Sequence, residues 1–321
     1  MKTVLVTGGA GFIGSNLVSE LLKRKYRVVC VDNFDGTYSP EFKESHVAPF
    51  VSNTNFGLFR VDICDLEKMR SIFEKEKPVY VVHLAAKADT RDAVKNPYIY
   101  ISVNVNGTTN ILELSKKFSV KKVVLASSGS VYGNNPNIPW KEEENTDLPL
   151  SAYGATKKTT EMLAYTYHHN FDMNVVCLRY FNVYGENNRP NMVPYKWAKA
   201  FLNNEEIELS GEGTRKRDFT YVGDVVEATV LAMEAPIKYE ILNIANSQPV
   251  SLKELISVFE KITGMKPNVK SRPSHNASVN EMYADSMKAQ KLLNWKPKVS
   301  IEEGISKLVS WFRQNRMEKS V

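Results

Sequence analysis

The sequence predicts an α/β chain, with a parallel, doubly wound sheet followed by a smaller C-terminal α/β domain. Two observations carry that expectation. Six short apolar runs (2–7, 27–32, 57–62, 79–84, 121–126 and 175–180) alternate with helical segments over about 12–22, 66–74 and 98–118 and from Tyr153 onward. Strands alternating with helices imply parallel pairing through right-handed crossovers. After about Tyr180 the chain turns to polar loops and shorter elements, which divides it into residues 1–180 and 181–321, with a possible crossing back.

Strand one runs straight into Gly8-Gly9-Ala10-Gly11-Phe12-Ile13-Gly14, and an amphipathic helix follows. Glycines there suit a tight turn, a close backbone approach to pyrophosphate and close helix–strand packing. The helix N-terminus then faces the phosphates with unpaired N–H groups and partial positive charge. Strand two ends on Asp32, eighteen residues past Gly14. A carboxylate there accepts hydrogen bonds from the adenosine ribose and repels a 2′-phosphate, so the cofactor expected is NAD. A glycine-rich turn alone is only a turn. Strand, turn, helix and acid together are the fingerprint of a Rossmann dinucleotide-binding domain.

Ligands of such sheets sit at the carboxyl ends of the strands. That edge collects the Gly8–Gly14 turn, Asp32 with Asn33, Asp62 with Ile63, Leu84-Ala85-Ala86, Ser128 and the loop after Tyr180. Asn104, on the helix after strand four, completes the expected cofactor set. Strand five leads into Ser127-Ser128-Gly129-Ser130-Val131-Tyr132-Gly133, and Ser151-Ala152-Tyr153-Gly154-Ala155-Thr156-Lys157 opens the next helix. Tyr153 and Lys157 are four apart and share one helix face. A nearby ammonium favours the phenolate, and the Ser128 hydroxyl can relay a proton. Such a set moves a proton while a partner moves a hydride. Tyr-x-x-x-Lys occurs by chance on exposed helices; the dinucleotide fingerprint at the same edge supplies the context.

The remaining composition narrows the function. At 321 residues, 43% apolar and 24% charged, the chain has the make-up of an ordinary globular protein. Its net charge of +6 is scattered, which suits a small anionic substrate and gives no case for nucleic acid. Three separated cysteines (Cys30, Cys64, Cys177) suggest a reducing compartment and no disulfide framework. No apolar run reaches the ~20 residues of a membrane span, and no signal core precedes strand one, so a cytoplasmic location is expected. His83 reads as a core histidine, His168-His169 as a helix end, and no cluster has metal-ligand spacing.

In the second half, Asn182-Val183-Tyr184-Gly185-Glu186-Asn187-Asn188-Arg189-Pro190 forms a polar loop. A helix over 193–203 and a strand over 207–209 precede Arg215-Lys216-Arg217-Asp218-Phe219-Thr220-Tyr221-Val222. Cations against an aromatic, β-branched run can grip a diphosphate, and Arg272 could add one more. The tail, 284–312, reads as two amphipathic helices around Asn294-Trp295-Lys296-Pro297.

These motifs, in this order, resemble the extended short-chain dehydrogenase/reductase superfamily in its NAD-dependent nucleotide-sugar epimerase/dehydratase branch. The match runs from Thr7–Gly14 through His83-Leu84-Ala85-Ala86, Tyr153…Lys157 and Arg179-Tyr180-Phe181-Asn182 to Leu293-Asn294-Trp295-Lys296-Pro297. The resemblance implies catalysis by Ser128, Tyr153 and Lys157. Dehydratases of the branch carry an Asp-Glu pair just after the serine, whereas Gly129 and Ser130 stand here, which leaves a hydride-only cycle. That cycle is 4-epimerisation: C4 oxidation, rotation of the 4-keto sugar and re-reduction. The Tyr153–Tyr167 segment and Arg189-Pro190-Asn191-Met192 look most like UDP-glucuronate 4-epimerases, acting toward UDP-galacturonate. Arg189 is then expected at the uronate carboxylate, with Ser128, Ser130, Tyr153, Asn182, Arg217 and Arg272 around the UDP-sugar. The nearest alternative is a UDP-glucose or UDP-N-acetylglucosamine 4-epimerase, and a 4-ketoreductase or dehydratase follows. Asn182, Gly223 and Ser274-His275-Asn276 depart from the uronate group's usual residues. The resemblance also implies a homodimer through the 98–118 and 153–170 helices.

Overall fold

The computed structural model describes residues 1–273 and 281–317; the Ser274-His275-Asn276 departure lies outside them. Strands β1 (Thr3–Thr7), β2 (Arg27–Asp32), β3 (Phe56–Arg60), β4 (Tyr80–His83), β5 (Lys122–Ser128) and β6 (Val175–Tyr180) are all parallel. Between them run α1 (Phe12–Lys23), α2 (Pro40–Val47), α3 (Leu66–Glu76), α4 (Thr90–Lys95), α5 (Pro97–Tyr100), α6 (Gly107–Lys117) and α7 (Ala152–Phe171). The second half supplies α8 (Val193–Asn203), β7 (Glu206–Ser210), β8 (Lys216–Asp218), α9 (Val222–Glu234) and β9 (Tyr239–Ile244). β10 (Pro249–Ser251), α10 (Leu252–Thr263), β11 (Asn268–Arg272), β12 (Glu281–Met282), α11 (Met287–Leu293) and α12 (Ile301–Met317) complete it.

The main sheet has seven strands in the order β3-β2-β1-β4-β5-β6-β9. The winding reverses at β1, so the crevice between the ends of β1 and β4 is the topological switch point where ligands of such sheets bind. Register aligns that edge: Thr7 is opposite His83, Asp32 opposite Arg60, and Ser128 opposite Tyr180. Both faces are covered. Val4 and Val6 of β1 pack in a cluster with α1, α9 and α11, while Leu5 packs with α3, α6 and α7 on the other side. The rest of the second half has its own core of Trp197, Phe201, Phe259, Leu308 and Phe312, beside the small sheets β10-β8-β12 and β11-β7.

The predicted doubly wound sheet is present, with several additions. β9 was not anticipated: it comes from beyond residue 180, pairs with β6 and brings the chain back to the first body. Its sequence, Tyr239-Glu240-Ile241-Leu242-Asn243-Ile244, mixes polar and apolar residues because it is an edge strand buried only toward its end. α2 was also missed, although Ser39-Pro40 is a start signal: Ser39 Oγ accepts from Phe42 N and Pro40 takes the first turn. The expected 98–118 helix is α5, a π-helical turn Ile101–Asn106, and α6. Gly107 opens α6 because a Cβ there would meet Ile63 Cδ1 at 2.5 Å. The tail folds as two helices around Trp295, which is buried and donates to the Asp224 carbonyl at 3.0 Å. Among the described residues, no helix is long and apolar enough to cross a membrane, and no group of acids, histidines or cysteines could hold a metal.

Candidate active site

The carboxyl edge of the sheet opens into a cleft of about 310 Å³. Its glycine wall follows from packing. Gly8 has φ +68°, and a Cβ there would lie 2.7 Å from Ala85 N; at Gly14 it would lie 2.1 Å from Gly8 O. Gly11 caps α1 with no side-chain hydrogen bond, so backbone N–H groups are left at the helix start. The turn is held from outside, where Ala10 N donates to Asp32 Oδ2 at 3.2 Å and Ala10 O meets His46 Nδ1 at 3.0 Å. This bare cradle, with an acid at the end of β2, fits a dinucleotide diphosphate and ribose. Burial pushes the Asp32 carboxyl up, opposed first by the Lys43 ammonium 3.8 Å away and then by the N–H groups of Phe34 and Ala10.

Across the cleft, β5 delivers Ser128 and α7 delivers Tyr153 and Lys157. Ser151 Oγ caps α7 by accepting from Gly154 N at 3.2 Å. The Ser128 side chain stands beside the Tyr153 phenol and lowers its pKa, and it accepts from Ser130 N at 3.1 Å. Lys157 Nζ donates to the Ala126 carbonyl at 2.7 Å, and burial lowers its pKa to about 8. Burial raises the Tyr153 phenol; Ser128 and the Arg189 guanidinium pull it back. The lysine is turned to a backbone carbonyl, and the Arg189 guanidinium is a cation that lowers the phenol. Gly129 has a structural reason as well, because a Cβ there would meet Phe181 Cε1 at 2.5 Å.

Of the other expected residues, Phe12, Ile13, Asn33, Asp62, Ile63, Leu84, Ala85, Ala86, Tyr180, Asn182 and Arg189 line the same cleft. Arg189 Nη1 donates to the Ala88 carbonyl at 2.8 Å. Asn182 donates to the Asp218 carbonyl at 3.1 Å, next to Arg217 on β8. Four expected residues stand outside the lining. Asn104 is buried behind it, with its amide spent on Lys87 N (2.8 Å), Lys87 O (3.1 Å) and Thr156 Oγ1 (3.0 Å), so it braces the segment after β4. Ser130 follows Ser128 in a 3₁₀ turn. Arg217 Nη1 donates to the Lys216 carbonyl at 2.7 Å, and its chain neighbour Asp218 is fixed by accepting from Asn246 N, Ser247 N and Ala284 N. Arg272 pairs with Glu208 on the exposed β11-β7 ribbon.

Asp35, Thr37, Tyr38, Lys43, Lys87 and Asn188 line the cleft without having been singled out. Lys87 was within reach of the strand-end rule, since it directly follows Ala85-Ala86. Asn188 is wholly buried, and its Nδ2 has no hydrogen-bond partner among the described residues, an orphan donor at the wall of a polar cleft. Asp35, Tyr38 and Lys43 carry no motif, and their meeting depends on how one loop folds. His83 is the core histidine expected, held between Thr7 Oγ1 (2.6 Å) and Thr108 Oγ1 (2.9 Å).

Residues 4–245 match the NAD dependent epimerase/dehydratase family. A UDP-glucuronate 4-epimerase of Thermodesulfobacterium geofontis is 40% identical over 317 residues, 98% of this chain and 97% of that protein. The solved UDP-glucuronic acid 4-epimerase from Bacillus cereus, in complex with UDP-glucuronic acid and NAD, superposes with a TM-score of 0.90 at 34% identity, covering 98% of this chain and 99% of that one. The UDP-glucose 4-epimerase of Thermotoga maritima, solved with UDP-glucose, gives the same TM-score, identity and coverage.

Proposed function

The chain belongs to the NAD dependent epimerase/dehydratase family, and we propose that it is a UDP-sugar 4-epimerase interconverting UDP-glucuronate and UDP-galacturonate. One observation carries the reading. Ser128 and Tyr153 stand together in one cleft with the bare glycine cradle and Asp32, and Gly129 and Ser130 beside them carry no carboxylate. A proton carrier next to a dinucleotide site, without an acid–base pair for elimination, supports a reversible oxidation at one carbon.

Gly8, Gly11 and Gly14 would admit the NAD diphosphate, and Asp32 would take the adenosine ribose hydroxyls. When bound, NAD supplies the acceptor and the donor of the C4 hydride. Tyr153 takes the proton of the C4 hydroxyl and returns it, with Ser128 in relay. Arg189 faces the uronate carboxylate and favours the ionised phenol. Asn182 and Arg217, joined through Asp218, grip the diphosphate while the hexose turns over; Arg272 could join them only by leaving Glu208. We assign residues 1–180, with β9 and α9, to the cofactor and most of the remainder to the sugar nucleotide. A homodimer is proposed through the outer faces of α5 and α7, supported by exposed Tyr98, Ile99, Ile101, Met162 and Tyr165. The free cysteines Cys30, Cys64 and Cys177 suit the reducing cytoplasm.

Asn182 stands where the resemblance places asparagine in glucose epimerases, so a neutral sugar is the second reading. A proton NMR time course with UDP-glucuronate, UDP-glucose and UDP-N-acetylglucosamine, with no cofactor added, tests both. Epimerisation of the uronate without net NADH is expected. Conversion of only a neutral sugar would contradict the assignment of Arg189.

A further inference from the structure

The loop between β2 and α2 crosses the cleft. Asp35, near its start, divides its carboxylate between two walls. Oδ1 accepts from Lys43 Nζ of α2 at 2.7 Å, and Oδ2 accepts from Lys87 Nζ, which lies just beyond β4. Thr37 Oγ1 donates to the same Oδ2 at 2.8 Å and accepts from Lys87 Nζ at 3.0 Å. Both lysine anchors are fixed. Asn104 holds Lys87 by its backbone N–H and C=O, and the Lys43 side chain is only 7% exposed. Tyr38, between them, lies beneath the Lys43 ammonium (5.1 Å to the ring centroid), and its hydroxyl reaches over Gly11 toward the Phe12 N–H. The loop therefore spans from Asp32 over the glycine turn to the far side of the cleft, above the place where the fingerprint puts a dinucleotide diphosphate.

We propose that Asp35 is a positioning residue for the cofactor, closing the β2–α2 loop onto the segment after β4 as a clasp that sets how slowly NAD leaves. The inference rests on the epimerase reading for the identity of the ligand. An epimerase ends each cycle with its cofactor in the starting oxidation state, so nothing in the chemistry requires release. Ion pairs shielded from solvent are weakly screened by salt, and both arms must open before the diphosphate can pass. Lys43 also lies 3.8 Å from Asp32, so two ammonium groups meet two carboxylates and the loop closes over the diphosphate place without a net charge of its own. Burial pushes the Asp35 carboxyl up, but hydrogen bonds from Lys43, Lys87 and Thr37 outweigh it and hold the carboxyl below its ordinary range, so the clasp stays charged at any working pH.

The test compares wild-type protein with Asp35→Ala and Asp35→Asn. Bound nucleotide is released by acid and quantified, and exchange of bound NAD against isotopically labelled NAD is followed in time. The wild type should carry NAD and exchange it slowly; both variants should exchange at least tenfold faster, while the melting temperature of NAD-stripped protein stays unchanged. Exchange within twofold of wild type in both variants would overturn the clasp and leave the epimerase reading standing. Faster exchange accompanied by a lower melting temperature of the stripped protein would also overturn it, since the loop would then be a support of the fold. A wild type that neither carries nor takes up NAD would remove the parent reading and the clasp together.

Discussion

Tyr153 meets opposed influences: burial raises its phenol, and the Ser128 side chain and the Arg189 charge lower it. Tyr153→Phe keeps the ring and removes the proton carrier, so kcat should fall by roughly 10²–10⁴-fold with NAD still bound, as read by turnover and cofactor content. Arg189→Met should raise KM for UDP-glucuronate at least tenfold and leave KM for a neutral UDP-sugar within threefold; equal effects on both would remove its carboxylate role. His83 gives a pH dependence. Burial, aided by the Lys157 charge, lowers its pKa from 6.5 to about 3. Between those values the unfolded chain binds a proton that the folded chain does not. Stability from this group is thus complete above pH 6.5 and falls with acidification toward pH 3, by about 1.4 kcal/mol per unit. Urea titrations at pH 7, 5.5 and 4.5 should show this slope, and His83→Gln should flatten it. At this scale the sequence was informative wherever a residue belonged to a spaced motif, as Asp32, Ser128, Tyr153 and Lys157 do. It was silent on Asp35, Tyr38 and Asn188, whose positions arise from loop folding and not from any period.

Helix α7 is fixed to the sheet by a buried pair. Glu161 accepts from Arg179 Nε on β6 at 2.8 Å and from Nη2 at 2.8 Å, and Ser127 donates to Glu161 Oε1 at 2.5 Å, one residue before Ser128. Both partners are nearly inaccessible, 1–2% exposed. Removing one partner strands the other in a low-dielectric interior, so Glu161→Gln should cost ~3–5 kcal/mol in chemical denaturation. A loss below 1 kcal/mol would show that the pair does not anchor the helix. The elements that sequence patterning found were the fully buried strands and long helices, where one period repeats. Edge strand β9 and the short capped helix α2 were overlooked. The first is half polar, and the second is announced only by its cap.

Over the whole molecule, the parallel sheet brings strand ends from six separate stretches of chain to one edge, and β9 and α9 return from the second half to complete that body. Apolar side chains remain exposed on α5 and α7, Tyr98 at 85% and Tyr165 at 52%. For the homodimer proposed above, the unsubstituted protein should sediment as a dimer and Tyr98→Arg with Tyr165→Arg as monomers; an unsubstituted monomer would remove the proposal, and an unchanged dimer would place the interface elsewhere. Sequence alone recovered the parallel sheet and the dinucleotide edge because strands alternating with helices imply parallel pairing, but it could not place Arg272, whose partner Glu208 is set by the pairing of β11 with β7. In the proposed reaction, hydrogen leaves and returns at C4 alone. Running the reaction with unlabelled UDP-glucuronate in D₂O and reading the product by NMR tests it most directly. UDP-galacturonate with protium at both C4 and C5 is expected. Deuterium at either carbon, or a pentose product formed with loss of CO₂, would contradict it.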